Sequence, residues 1–410
     1  MHTRLLKSSL FISAMILMVI FCFNACTNKG FIKPKTSTSY GGTGSGKDTI
    51  SGDTIASFNQ PTGIAVDAAG NIYVSDYGDN LIRKISAAGI VSTIAGNGNQ
   101  GSLNGLDTAS SFNGPTALAL DAAGNIYVAD DNNNMVRKIS TNGMVSTYAG
   151  SDSTGLINGP AANSALFGPT GVAVDGSGNV YIADAGNNII RMVNTSDVVS
   201  TYAGSTNEAA TNGPLLSASF NNPTGLAIDG SGNIFVADML DGMIREISPS
   251  TGTVTTLAGS GDTTASVNGT GTAASFYFPN SLAVDASDNI YVTEYATNLI
   301  RKVDPTGVVT TFAGNGAAGQ ADSTGTSASF NGPSGIAVDK SGNLYVADTY
   351  NNVIRKITPA GVVSTIAGSG IAGSRNGKAQ SLKKPTINIT RRVNVAHAAA
   401  TYKVFVKKKR

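Results

Sequence analysis

The sequence predicts an all-β chain: a closed ring of six four-stranded antiparallel sheets. Three observations carry that expectation. The segment Pro61 to Gly96 recurs six times, opening at Pro61, Pro115, Pro169, Pro223, Pro279 and Pro333, at spacings of 54, 54, 54, 56 and 54 residues. A fixed period of that length is the mark of a repeat architecture. Each copy holds four short runs rich in Ile, Val, Tyr and Thr, in the first copy about 62–67, 71–76, 80–86 and 90–95, here named a, b, c and d. Such runs have strand length and composition, and none has helical spacing. Between a and b stands Asp-x-x-Gly-Asn, as in Asp67 to Asn71.

Each element follows from its residues. An Asp that accepts the free N–H groups of a type I turn, followed by a left-handed Gly, closes a tight hairpin. The fifth copy has Asp288 in the Gly position. Asp tolerates positive φ, so the same turn is expected there. The b-to-c turns are Asn-, Asp- and Gly-rich, as in Tyr77 to Asn80 and Asp131 to Asn134. A four-stranded meander results. One such sheet leaves a face uncovered, and six can cover each other around an axis, which is a six-bladed β-propeller. Run a is small and apolar (Gly63-Ile64-Ala65-Val66) and suits the crowded inner position. A linear solenoid would need polar end caps, and no copy looks like one.

The pattern P-x-G-[IVL]-A-[VIL]-D-x-x-G-N-[ILV]-[YF]-[VI]-A-D…N-x-[IMV]-[IV]-R-[KME]-[IV] resembles the NHL repeat from about 58 to 370. Single copies depart from it, at Ala117 and Ser281 in the first Gly position. The resemblance implies a six-bladed propeller, commonly a binding platform, and names no single function.

The ends read differently. Residues 1–25 have a basic start (Arg4, Lys7) and an apolar core from Leu10 to Phe23. That is the layout of a signal peptide rather than a spanning helix. Phe23-Asn24-Ala25-Cys26 resembles a bacterial lipobox, with Phe23 in place of the usual Leu, so Cys26 is the expected lipidation site. The expected location is the bacterial cell envelope, lipid-anchored, with a secreted or periplasmic protein as the alternative. The two cysteines, Cys22 and Cys26, leave the repeats without disulfides. Residues 26–57 read as a Gly/Ser/Thr-rich tether. The copies occupy 58–384. The tail 385–410 has 26 residues against 36 for a copy and ends Lys407 to Arg410. It reads as a closing strand or a disordered basic end. A composite seventh blade built from 48–57 and the tail stands as the alternative architecture.

Strand direction puts the b-to-c turns and the long d-to-a loops on one face. That face is the candidate binding face, because long connections in compact domains tend to be functional or mobile. The loops carry Asn-Gly at Asn104, Asn158, Asn212, Asn268 and Asn376. Run b ends in an acid (Asp76, Asp130, Asp184, Asp238, Glu294, Asp348), and run c holds an Arg (Arg83, Arg137, Arg191, Arg245, Arg301, Arg355). A catalytic group need occur once, so sixfold occurrence points to a structural carboxylate–guanidinium ladder. The aromatics Phe58, Phe112, Phe167, Phe220, Phe276 and Phe330 read as core plugs. Specificity is expected where copies differ: Asp131, Met239, Leu240, Asp241, Glu294, Tyr295 and Tyr350.

The histidines are His2 and His397, both outside the repeats, so no His-based catalytic or cofactor site can be assembled there. Catalysis would rest on carboxylates or Tyr, with Glu294 the singular candidate. No catalytic residue is assigned, and no cofactor or metal is expected. The acidic Asn-rich turns offer oxygen to Ca2+, but without EF-hand spacing. Net charge is +2, and the basic excess lies at the ends, which argues against nucleic acid. The reading is a non-catalytic propeller engaging a protein or glycan, with a carboxylate-based lyase or hydrolase in the central pocket as the alternative.

Overall fold

The structure, a computed structural model, describes residues 55–379. The expected signal peptide, Cys26, most of the tether and the tail from 385 lie outside the described residues. The described residues form six antiparallel sheets, with no α-helix among them. In blade 1, strand a is Pro61–Val66, b is Ile72–Asp76, c is Leu81–Ile85 and d is Ile90–Ala95. The other blades repeat that order, their inner strands starting at Pro115, Pro169, Pro223, Pro279 and Pro333. The six sheets complete the ring, so the composite seventh blade falls away.

The a-to-b turns form as their residues dictate. Asp67 Oδ1 accepts the N–H groups of Ala69 (2.9 Å) and Asn71 (2.8 Å), and Gly70 has φ 81°. Asp288 takes the same left-handed conformation, φ 59°. In blade 5 the b-to-c turn is a plain turn that keeps a left-handed Asn, Asn298 at φ 57°. In blades 1, 2, 3 and 6 it is a single 3₁₀ turn closed by a left-handed Asn, such as Asn80 at φ 53°. That Asn reaches across the seam, and Gly114 N–H of the next blade donates to Asn80 Oδ1 at 2.9 Å. In blade 4 the position is Gly242, which has no side chain to make this bridge.

Burial is organised by seams. Each of six apolar clusters joins two neighbouring blades, the last joining Val74 and Ile85 to Tyr345 and Ile354. Phe58, Phe112, Phe220, Phe276 and Phe330 are fully buried. In the third copy the plug is Leu166, fully buried, whereas Phe167 is 46% exposed. Counting back three residues from each Pro gives Leu166, so the aromatic sits one residue too late to plug the core.

The long d-to-a loops also differ from expectation. Their Asn-Gly pairs are tied down rather than free. Each Gly begins a two-residue fifth strand on the outer edge of the following blade, as Gly105–Leu106 does on Met144–Gly150. The last such strand, Gly377–Lys378, pairs with Ile90–Ala95 of blade 1 and closes the ring end to end. Ile55, placed in the tether by the sequence, bridges to Lys378, and Ala56 is fully buried. Blade 6 is the exception, with a single bridge from Thr324 to Val362.

Candidate functional site

The ladder residues come together inside each blade. The Asp at the end of strand b faces the Arg of strand c at 2.7–3.0 Å in blades 1–4 and 6, with both side chains at 0% exposure. In blade 3, Arg191 Nη1 donates to Asp184 (2.9 Å) and to Ala165 O (3.0 Å). Its Nη2 donates to Ile157 O (2.9 Å) and Asn158 Oδ1 (2.8 Å). The other Asp184 oxygen accepts Phe167 N–H at 2.7 Å. One guanidinium thus joins strand b, strand c, the segment entering strand a and the long loop. A bulge opposite the Arg, where strand d carries one extra residue, recurs in all six blades. In blade 1 the loop partner comes from the far end of the ring: Arg83 donates to Asn376 Oδ1 at 2.9 Å and Arg375 O at 3.1 Å. Glu294 keeps the pairing, 2.6 Å to Arg301, and its extra methylene lets the second oxygen take the hydroxyls of Thr297 and Ser266. Glu294 is fully buried, so it is not presented on the face.

The face itself is built around the channel axis. Where the inner strands begin, they enclose a cavity of about 160 Å³. Three rings line it: Thr62, Thr116, Thr170, Thr224, Asn280 and Ser334; then Gly63, Ala117, Gly171, Gly225, Ser281 and Gly335; then Ile64 and its five aliphatic equivalents. No Asp, Glu, Lys, Arg or His is among them. The Thr hydroxyls bind carbonyl oxygens: Thr62 donates to Pro115 O (3.1 Å), Thr116 to Ala129 O (3.3 Å) and Thr170 to Pro223 O (3.1 Å). Blade 5 departs, with Asn280 Nδ2 donating to Ser334 Oγ at 2.8 Å.

Around the mouth stand the variable positions. The residue after the b-strand acid is Tyr77, Asp131, Ala185, Met239, Tyr295 and Thr349 in turn, and the next is Gly78, Asn132, Gly186, Leu240, Ala296 and Tyr350. Tyr295 and Tyr350 meet across the seam between blades 5 and 6, ring centroids 5.6 Å apart and hydroxyls in contact. Gly332 lies under them, and a Cβ there would fall 2.7 Å from the Tyr350 ring. At the equivalent place in blade 5 stands Phe278, held at φ 54° with the Tyr277 ring 4.7 Å away. That left-handed conformation recurs before the Pro of every blade, at Gln60, Gly114, Gly168, Asn222, Phe278 and Gly332, so it belongs to the repeat, and Phe278 is the one aromatic side chain carried there. Leu240 and Tyr350 are 38% and 39% exposed. Asp241 accepts Asn221 Nδ2 at 3.1 Å and so braces its turn. Blades 4 to 6 therefore present a run of apolar and aromatic side chains, Met239, Leu240, Tyr277, Phe278, Tyr295 and Tyr350. Blade 1 presents Tyr77 with Asn59 and Gln60, blade 2 the carboxyl of Asp131, and blade 3 the exposed Phe167.

Sequence reasoning missed Tyr277, Phe278 and Asn280. The signal was present: Tyr277-Phe278 stand before Pro279 where the first copy has Asn59-Gln60, and that copy lies in the 56-residue period. Among the described residues no cluster of three His, Cys, Asp or Glu is placed to hold a metal ion. The Asp oxygens in the turns are taken by N–H donors instead.

Burial, reinforced by the neighbouring Asp130 charge, pushes the Asp131 carboxyl up to about 6. In the unfolded chain an Asp titrates near 3.9. The folded state therefore binds more protons between those values. The group's contribution to stability is complete below about pH 4 and is lost as pH rises through about 6. Asp131→Asn is expected to raise stability at pH 7 by about 1–2 kcal/mol, and the gain should vanish toward pH 4. Urea melts at pH 4, 5.5 and 7 would show it, and a gain equal at all three would contradict the assignment.

Fold and site together define a closed propeller with an uncharged axial cavity under an asymmetric loop face. Residues 58–85 and 330–357, in the first and last copies, match the NHL repeat model. The chain belongs to the NHL-repeat β-propeller family. It is 32% identical over 337 residues to NHL repeat-containing protein 2 of Bos taurus, a match covering 72% of this chain and 46% of that protein. The chain thus spans about half the length of that relative. Among solved structures, an auxiliary nutrient binding protein from Bacteroides thetaiotaomicron superposes with TM-score 0.56 at 18% identity, covering 73% of this chain and 69% of that one. A virginiamycin B lyase from Staphylococcus aureus, solved with quinupristin, gives TM-score 0.51 at 16% identity, covering 79% and 90%. At those identities the likeness is one of fold.

Proposed function

We propose that this chain is a non-catalytic binding propeller of the bacterial cell envelope, engaging a protein or glycan on its loop-rich face and held to a membrane by a lipid on Cys26. The observation that carries the binding reading is the axial cavity, lined by Thr, Asn, Ser, Gly, Ala and aliphatic side chains without a charged group. Acid–base chemistry in the cavity would need titratable groups converging on one point. The carboxyls that burial pushes up, Asp131 to about 6 and the ladder residues Asp76 and Asp238 to about 7, do not line it. Fold alone does not choose, since similar propellers include a nutrient binder and a lyase.

The test is capture from envelope extract on the immobilised full chain. Met239→Ala and Leu240→Ala, in an exposed turn, should change stability by less than about 0.5 kcal/mol and reduce capture. Capture unchanged by either, and by Tyr350→Ala, would place the binding surface elsewhere. For the anchor, Cys26→Ala should abolish acylation and move the chain to the soluble fraction. Unchanged membrane retention would rule the lipid out.

A further inference from the structure

We propose that the mouth of the axial channel, the cavity together with the arc of Phe278, Tyr295 and Tyr350, is a subsite for a neutral sugar. This rests on the binding reading above and specifies its ligand. The cavity sets the first condition. None of its lining side chains is charged, so an ionic group placed there would lose its hydration without a counter-charge. The ligand portion that enters is neutral.

The second condition comes from hydrogen-bond direction. A Thr hydroxyl has one proton and two lone pairs. Thr62, Thr116, Thr170 and Thr224 all point that proton at backbone carbonyls. What they offer the cavity is acceptor oxygen, so the ligand must bring donors. Asn280 breaks the ring's symmetry. It gives one amide proton to Ser334 and keeps the second, together with its carbonyl oxygen. One point of the rim can therefore both donate and accept, as a vicinal pair of hydroxyls requires. The third condition is size. A cavity of about 160 Å³ is well below the roughly 300–1,000 Å³ of pockets that enclose a drug-sized ligand. It takes the edge of one small ring, and the remainder lies on the face outside.

The fourth condition is that outer surface. Tyr295 and Tyr350 form one ledge, Phe278 and Tyr277 another, on the same side of the mouth. An aromatic ring offers a flat apolar surface with an electron-rich face, suited to the C–H face of a pyranose. Neutral, rich in O–H donors, ring-sized and apolar on one face: sugars meet all four conditions together. An uncharged peptide also brings donors, but its amides alternate with carbonyls that would meet the Thr oxygens as like acceptors.

The experiment titrates the full chain with a panel of neutral gluco-, manno- and galacto-oligosaccharides, following tyrosine fluorescence and heat. The chain has 13 Tyr and no Trp, so tyrosine emission is not masked. Binding by at least one member is expected, weakened about tenfold or more by Tyr350→Ala and by Asn280→Thr. The second variant installs the residue four other blades carry, so it should fold. Tyr73→Phe, beside the a-to-b turn on the opposite face, should bind as wild type. Sugar binding indifferent to Tyr350→Ala and Asn280→Thr would overturn the site. If no sugar binds at millimolar concentration while a panel of uncharged peptides binds in a Tyr350-dependent way, the sugar assignment fails and the binding face stands. If neither binds and extract capture is also insensitive to the face variants, both readings fail.

Discussion

Arg191→Ala is expected to destabilise the propeller by about 3–5 kcal/mol, because it removes one partner of a fully buried ion pair. The loss is larger than one contact. Ala165 O, Ile157 O and Asn158 Oδ1 lose their donor together with Asp184, and a guanidinium-sized space opens in a fully buried position. For a domain of this size the melting temperature should fall by roughly 5–15 °C. The same change should leave ligand affinity of the folded fraction intact, because Arg191 does not reach the mouth of the channel. A melt like that of wild type combined with lost binding would show that the repeated Arg belongs to the site and not to the scaffold. Asp184→Asn is the informative companion. It keeps the volume but leaves the Arg191 guanidinium buried without its counter-charge, and it turns one of two acceptor oxygens into an NH₂ facing either Phe167 N–H or the Asn187 and Arg191 donors. It should therefore also destabilise by several kcal/mol, since either partner removed leaves the other buried and unpaired.

The architecture was legible because its determinants are local and repeated. Asp67-x-x-Gly70-Asn71 contains its own turn, and even the substituted Asp288 can be predicted, since φ preference is a property of one residue. What was not legible depends on neighbours in other blades. Asn104 and Asn376 read as exposed loop residues. They are acceptors for Arg137 and Arg83, and Asn376 meets its Arg across 293 residues of sequence. Nothing local announces that distance. Phe167 shows the reverse failure. An aromatic stands near the expected place, but the register of three residues before Pro169 selects Leu166 as the plug. At the mouth, Met239, Leu240, Tyr295 and Tyr350 could be picked out as departures from the repeat. Phe278 and Asn280 required the same comparison one strand earlier, and Glu294, equally singular in sequence, lies in the ladder with Arg301.

Gly171→Val is expected to be the most damaging single change in the ring, because the obstacle is backbone. A Cβ at Gly171 would lie 1.9 Å from Thr224 O, on the inner strand of the next blade. Gly335 and Gly63 meet Thr62 O at 2.1 Å and Thr116 O at 2.4 Å in the same way. Six inner strands share one axis, so a strand displaced outward at one seam must shift its neighbours. Overpacking of a side-chain core costs about 1–3 kcal/mol because side chains can rotate away. A carbonyl fixed in a sheet has no rotamer to change, so the cost here should exceed that range, and Gly171→Val should fail to fold or melt well below Arg191→Ala. The natural sequence supplies the control. Ala117 and Ser281 carry a Cβ at the same position, and the strands that follow them around the ring have glycine there, Gly171 and Gly335. Large and small therefore alternate around part of the ring, and Ala117→Gly should cost only about 0.5–1 kcal/mol, the ordinary backbone-entropy penalty of Gly. Circular dichroism melts of the two variants decide the matter. If Gly171→Val melted within a few degrees of wild type, the ring would be able to expand, and the dimensions of the axial cavity would no longer constrain what enters it.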